Sequence, residues 1–377
     1  CPAGPGMMRP YACITFSISH TLKHMRGGTD MERGFCTAGC SALSWHTKDG
    51  KHLWGRNYDF DRLAEGTQVT FLPRGTAYAP VAGGSGETLR YACAGTGLLL
   101  PQNPVLYEGL NDQGLMGGQL YYRSFAAYPD GLDTGKRPVQ PPFLLLHLLG
   151  QCATVEEAVR CLEEEICLAN IPFLGAVPPL HWSLSDRTGE TVVIEPDADG
   201  LHIYRNTIGV MTNSPSYPWH RTNLLNYAGL RDLDYAQTPF GDGQEQCFSG
   251  SGAQGLPGDW SSPSRFVRLA FLRRFALPGK DEETGVSRMF RLFQSAAFPL
   301  GAVQVSHQTP ATELDAAVLP YDYTVYTGIC CAESLRYYWT TYEGQQIRYL
   351  DLGALLEHQT PLQFPMEQTL GFLPVTP

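Results

Sequence analysis

A cysteine, an arginine and an aspartate fall where one β-hairpin gathers them. Cys40 opens a run, 41–47, that alternates small polar with apolar residues, and Lys48-Asp49-Gly50-Lys51 is a turn. Residues 52–56 resume as a strand, so Gly55-Arg56-Asn57-Tyr58-Asp59 ends the returning arm of a hairpin. Pairing the arms brings Arg56 and Asp59 back beside Cys40. Such a set suits attack on an acyl carbon. The thiolate is the nucleophilic form of cysteine, and a nearby cation lowers the thiol pKa. Arginine is the permanent cation for that task, and an aspartate there fixes the arginine or holds an amine. The same spacing also fits a hairpin with a surface ion pair and a buried cysteine. Both readings stand on spacing alone.

Other chemistries lack their residues. There is no GxGxxG opening a helix, no phosphate-binding GxxxxGK[ST] and no HExxH. The ten histidines are dispersed, which gives a metal site little support. GxSxG is absent, and Gly250-Ser251-Gly252 sits in a glycine-rich loop without the strand-to-helix context of a nucleophile elbow.

The elements that must position the triad follow from composition and pattern. The chain has 377 residues, 43% hydrophobic and 17% charged, with a formal charge of −10. That excludes a disordered chain and, without a basic stripe, a nucleic-acid binder. Apolar runs such as Phe143-Leu144-Leu145-Leu146 fall far short of the roughly 20 residues that cross a bilayer. Forty glycines and 28 prolines imply many turns between short strands. Strands are expected at 68–72, 105–107 and 115–122, the last two flanking the turn Asn111-Asp112-Gln113-Gly114. Further strands are expected at 181–185, 191–195, 201–204, 322–327, 335–340 and 346–350. Helical spacing covers 155–168, with Thr154 as N-cap, and also 264–276 and 285–297. The order is an α+β pattern, antiparallel sheets with helices on their outer faces. Eleven cysteines without a CxxC pair read as buried thiols in a reducing cytoplasm rather than a disulfide framework. Residues 1–39 read as a leader, a pro-segment or an upstream extension. The proline-rich tail beyond Leu352 reads as unstructured or as a packing strap.

The stretch CSALSWHTKDGKHLWGRNYDF, from Cys40, resembles the mature start of the choloylglycine hydrolase family. That family holds conjugated bile salt hydrolases and penicillin V acylases, within the N-terminal-nucleophile hydrolases. Segments 205–227 (RNTIGVMTNSPSYPWHRTNLLNY), 255–271 (GLPGDWSSPSRFVRLAF) and 335–351 (LRYYWTTYEGQQIRYLD) match in order. The resemblance implies a four-layer αββα sandwich and one amide-hydrolase domain over 40–352, flanked by 1–39 and the tail 353–377. It makes Cys40 the nucleophile, Arg56 the arginine beside the thiol and Asp59 the holder of the free α-amino group. Asn213 becomes the oxyanion-hole asparagine, Arg265 the arginine of the SSPSRF motif, and a backbone N–H near Tyr121 the second oxyanion donor. Tyr58, Phe60, Tyr121 and Tyr122 are candidate walls of an apolar acyl pocket. Asn57 and Asn111 are expected to be structural.

The implied mechanism needs no metal or cofactor. An α-amino group, with a pKa of about 7.7–8.0, serves as general base for the cysteine that carries it. The Gly39–Cys40 bond must therefore be cut. Cys36-Thr37 is a weaker start, because it needs a four-residue insertion before Thr47. Cys13 lies 43 residues from Arg56, and no strand follows Cys1. The implied function is hydrolysis of glycine- or taurine-conjugated bile salts, by a cytoplasmic enzyme of bacterial type with a small amphipathic amide as its partner. The alternatives are penicillin V or acyl homoserine lactone acylase activity, and a silent, unprocessed member that binds acyl ligands. Tyr121 stands where bile salt hydrolases usually carry Asn and penicillin V acylases often carry Tyr. The loop 240–262 resembles a segment that builds tetramers in the family, so a homo-oligomer is expected.

Overall fold

The hairpin around Cys40 forms in the expected register. In this computed structural model, which describes residues 39–130, 135–237, 241, 243–245, 247–305, 314–315, 317–372 and 374–375, strands Gly39–His46 and His52–Phe60 pair antiparallel. Gly39 lies opposite Asp59, Cys40 opposite Tyr58, and Ala42 opposite Arg56. The turn between them relies on Gly50, whose φ of +85° suits glycine alone among common residues. Val210–Met211 pairs on one side of the hairpin and Tyr321–Cys331 on the other. Arg336–Thr341 and Arg348–Asp351 complete this sheet, and the short strand Val303–Gln304 joins Tyr321–Cys331 at Asp322.

A second antiparallel sheet faces the first. Its order is Gly200–Tyr204, Thr191–Asp197, Leu180–Ser185, Met116–Tyr121, Val105–Asn111, Cys93–Leu98, Gln68–Leu72 and Leu362–Phe364. Trp54 is fully buried between the sheets, with its indole N–H donating to Ser183 Oγ. Gly118 of the second sheet lets that ring in, since a Cβ there would stand 2.5 Å from Trp54. Helices Ser262–Phe275 and Glu282–Gln294 cover the outer face of the first sheet, and Leu144–Gln151 that of the second. The result is the four-layer αββα sandwich. Strands buried on both faces lose the in–out alternation of a half-exposed sheet, and Gly39–Trp45 is buried at every position.

Several expected elements move. The helix expected over 155–168 stops early. Val155–Arg160 is helical, Cys161–Glu165 is a single π turn, and Ile166–Leu168 is a strand beside Arg137–Val139. Glu163, Glu164 and Glu165 crowd the negative end of the helix dipole, which disfavours its continuation. The Thr154 cap is present, its side chain accepting from Glu157 N. The expected helix at 285–297 begins at Glu282, because Asp281 and Thr284 form a capping box. The tail contributes a strap: Leu362–Phe364 pairs with Gln68–Leu72. The eight cysteines described carry free thiols. Among the described residues no helix is long and apolar enough to cross a membrane. Residues 1–38, with Cys1, Cys13 and Cys36, lie outside the described residues.

Candidate active site

Cys40 sits at the start of its strand, 2% exposed, with its sulfur 3.3 Å from Arg56 Nη2. Arg56 reaches it because positions 40, 42, 56 and 58 share one sheet face. Nη1 of the guanidinium is committed elsewhere, and Nε has no partner among the described residues. Nη1 donates to the carbonyls of Gln119 (2.6 Å) and Tyr107 (3.1 Å). It also lies 3.4 Å from the fully buried Glu108, and it packs 4.7 Å from the Tyr58 ring centroid. Glu108 in turn accepts hydroxyls from Tyr326 (2.9 Å) and Tyr337 (2.6 Å). Burial works against the Arg56 charge, but Cys40, Tyr326 and Glu108 outweigh it and raise its pKa.

The thiol itself departs from expectation. Burial raises the Cys40 pKa, and the lowering by Arg56 does not overcome it, with Asp59 adding to the rise. In this uncut chain Cys40 is therefore a thiol. A neighbouring arginine favours the thiolate, but a closed low-dielectric site prevents it.

Asn213 meets the Gly39–Cys40 peptide. Its Oδ1 accepts from Cys40 N (2.8 Å) and from Arg265 Nη2 (2.7 Å). Its Nδ2 donates to the Tyr121 carbonyl (2.8 Å), which leaves the second Nδ2 hydrogen for a developing oxyanion. Arg265 clamps the site through four donated hydrogen bonds. It donates to the Cys40 carbonyl, Ser41 Oγ, Asn213 Oδ1 and the Trp260 carbonyl. Asp59 is fully buried beside Gly39. Thr324 Oγ1 donates to Asp59 Oδ1, while Oδ2 has no partner. Burial raises the Asp59 pKa to about 6 against the pull of Arg265, Thr324 and Arg56.

Four of these supports were not read from the sequence. Glu108 and Thr324 are polar residues inside strands that are otherwise buried, which is the one signal they give. His220 and Ser262 hold the Asn213 loop. His220 Nε2 donates to the Asn213 carbonyl (2.9 Å), and Asn213 N donates to Ser262 Oγ (2.9 Å). Burial lowers the His220 pKa to about 4, so it stays neutral.

The aromatic candidates divide. Tyr58 stacks between Tyr107 and Tyr326, and Phe60 lies 5.8 Å from the Tyr121 ring. Tyr122 does not join them. The residue after Tyr121 points to the opposite face of the strand direction, and Tyr122 is fully buried, stacked 4.6 Å from His181 with its hydroxyl donating to Asp197. Asn57 donates to the Phe293 carbonyl and accepts from Thr327, and Asn111 ties its turn to Leu149 and Cys152. Both side chains are held by these contacts within the fold.

A cavity of about 840 Å³ opens at Gly39. Arg123, Ser124 and Phe125 line it with Asn213, Ser214 and Pro215, and Trp260, Arg265, Phe298, Val303 and Asp322 complete the wall. Gly39 suits this position sterically, because a Cβ there would stand 2.8 Å from Phe298 Cζ.

Residues 40–360 match the linear amide C–N hydrolases of the choloylglycine hydrolase family. The bile salt hydrolase/transferase of Clostridium perfringens is 31% identical over 317 residues, 83% of this chain and 92% of that protein. The bile salt hydrolase/transferase of Lactiplantibacillus plantarum is 32% identical over 320 residues, with the same shares. The crystal structure of a mutant conjugated bile acid hydrolase from Clostridium perfringens superposes with a TM-score of 0.80 at 30% identity. It covers 89% of this chain and 100% of that one. With the αββα sandwich and the Cys40 site in place, the chain belongs to the choloylglycine hydrolase family of linear amide C–N hydrolases.

Proposed function

We propose that the enzyme hydrolyses conjugated bile salts with Cys40 as an N-terminal nucleophile, freed by cleavage of Gly39–Cys40. The observation that carries this reading is the convergence of Asn213 Oδ1, Arg56 and Asp59 on Cys40. The Cys40 thiol attacks the Gly39 carbonyl carbon, the C–N bond breaks, and the Cys40 nitrogen takes the thiol proton. Water then hydrolyses the thioester. The new α-amine finds acceptors in place, Asn213 Oδ1 and the unpartnered Asp59 Oδ2. In turnover the amine takes the thiol proton as sulfur attacks the substrate amide, and the free Nδ2 hydrogen of Asn213 meets the oxyanion. The amine then protonates the leaving nitrogen, and water releases the bile acid.

The free thiols support a reducing, cytoplasmic setting. Exposed Trp219, Leu225, Leu233 and Phe248, around the loop that resembles the tetramer-building segment, support a homotetramer. Tyr121 favours penicillin V as a second substrate. The test is release of glycine or taurine from glycocholate and taurocholate, beside hydrolysis of penicillin V and an acyl homoserine lactone. Faster bile-salt cleavage is expected. Cleavage of penicillin V alone would replace the substrate, and cleavage of none would favour a silent member.

A further inference from the structure

Asp322 lies on the wall of the cavity that opens at Gly39, 3% exposed, and its Oδ1 has no hydrogen-bond partner. A buried carboxyl oxygen left unpaired is costly, and a native structure keeps it where a ligand or a function satisfies it. Arg123 lines the same cavity, and the two arginines that act on Asp322 are already committed. Arg265 is tied to the Cys40 carbonyl, Ser41, Asn213 and Trp260, and Arg62 to Asp61 and Asp315. Asp61 and Asp59 are the acidic neighbours of Asp322. Burial, Asp61 and Asp59 push the Asp322 pKa up to about 8, against Arg265 and Arg62. Asp322 Oδ1 is thus an acceptor without a donor among the described residues, close to two further carboxyl groups, and it suits a positively charged donor better than an anion. Ser124, Ser214, Ser261 and Gln304 put polar groups on a lining that is otherwise mostly apolar. Those polar groups offer partners to the amine part of an acyl amide beside Asp322.

We propose that Asp322 is a specificity residue that receives an ammonium group on the amine part of the substrate, so that the enzyme accepts conjugates of lysine-like amino acids. The inference rests on the amide-hydrolase function proposed above, with this cavity taking the amine part of the substrate. An ammonium there gives Asp322 Oδ1 a charge-assisted hydrogen bond. Tenfold in kcat/KM corresponds to about 1.4 kcal/mol, within the coupling measured for close buried charge pairs.

The experiment compares cholyl-lysine, joined through its α-amino group, with cholyl-norleucine, which lacks only the ammonium. Glycocholate is run beside them. The expected ratio of kcat/KM, lysine over norleucine, is at least about tenfold in the native chain, and it falls to about one in Asp322→Asn and in Asp322→Ser. A native ratio near one overturns the proposal, as does a high ratio that survives both substitutions. If glycocholate and both conjugates resist hydrolysis, the bile-salt function itself has failed and the proposal falls with it. If glycocholate is cleaved while the ratio is near one, Asp322 alone is misassigned.

Discussion

Two buried cysteines in this molecule each have an ionisable neighbour, and they are poised oppositely. Cys40 lies beside Arg56, and burial raises its pKa. Cys161 lies at the end of the helix Val155–Arg160, 3.9 Å from His147 Nε2, and its pKa is lowered to about 5 by the Cys152 thiol and then by His147. Ranked by acidity, Cys161 would be the nucleophile. Its gain, however, is matched by a raised Cys152, so the pair keeps a proton between them. Cys161 also packs in the core with Leu162, Val159 and Leu149. Around Cys40 stand Asn213 Nδ2, a clamping arginine and an unsatisfied carboxylate. A nucleophile in this fold is thus marked by waiting donors and acceptors rather than by its resting acidity. In the function proposed above, activation is a covalent event, the release of the amine.

The comparison breaks most sharply by exchange of the two thiols. Cys40→Ala is expected to abolish both Gly39–Cys40 cleavage and amide hydrolysis, a loss of at least about 10⁴-fold in kcat. Cys161→Ala should leave kcat within about twofold, read on the same substrate. Equal losses in both variants would erase the distinction.

Next in size is the charge behind Cys40. Arg56→Met leaves Glu108 buried without its cation, and removal of one partner of a buried pair typically costs about 3–5 kcal/mol. Urea unfolding should register that loss. Adding Glu108→Gln should recover most of the stability without restoring activity. Asn213→Ala removes an oxyanion donor, and kcat should fall about 10²–10³-fold. Because Asn213 also anchors Cys40 N, cleavage at Gly39 should slow as well, which mass spectrometry would follow.

The smallest effect concerns Asp59 before cleavage. Its pKa is raised from 3.8 to about 6 in the folded chain. The folded state then holds the proton more tightly, so this contribution to stability is fully present below about pH 4 and is lost as pH rises through 6. One pKa unit is about 1.4 kcal/mol, which sets the loss at roughly 3 kcal/mol. In the uncut Cys40→Ala chain, Asp59→Asn should flatten that part of the pH–stability curve. An unchanged curve would show that Asp59 is not held protonated.

Much of this site was legible in the residues. The hairpin register followed from the turn at Gly50, and it alone brings Arg56 and Asp59 to Cys40. Asn213 and Arg265 came from segment resemblance, since nothing local in the sequence brings a position some 173 residues away to Cys40 N. Glu108 and His220 were not legible, because their role lies in tertiary partners that no local pattern encodes. Tyr122 is misplaced when the aromatic pair Tyr121-Tyr122 is taken as one wall, whereas successive strand residues face opposite ways. Strand Cys93–Leu98 was missed because Gly95 and Gly97 weaken its pattern. They are there for contact, since a Cβ at either would stand within about 2 Å of a neighbouring carbonyl oxygen.

The measurement closest to the central claim is the intact mass and N-terminal sequence of the purified protein, with hydrolysis followed as cleavage proceeds. The account predicts a chain that begins at Cys40 and activity that rises in step with the cut. Full turnover by a chain still joined through Gly39 would contradict it.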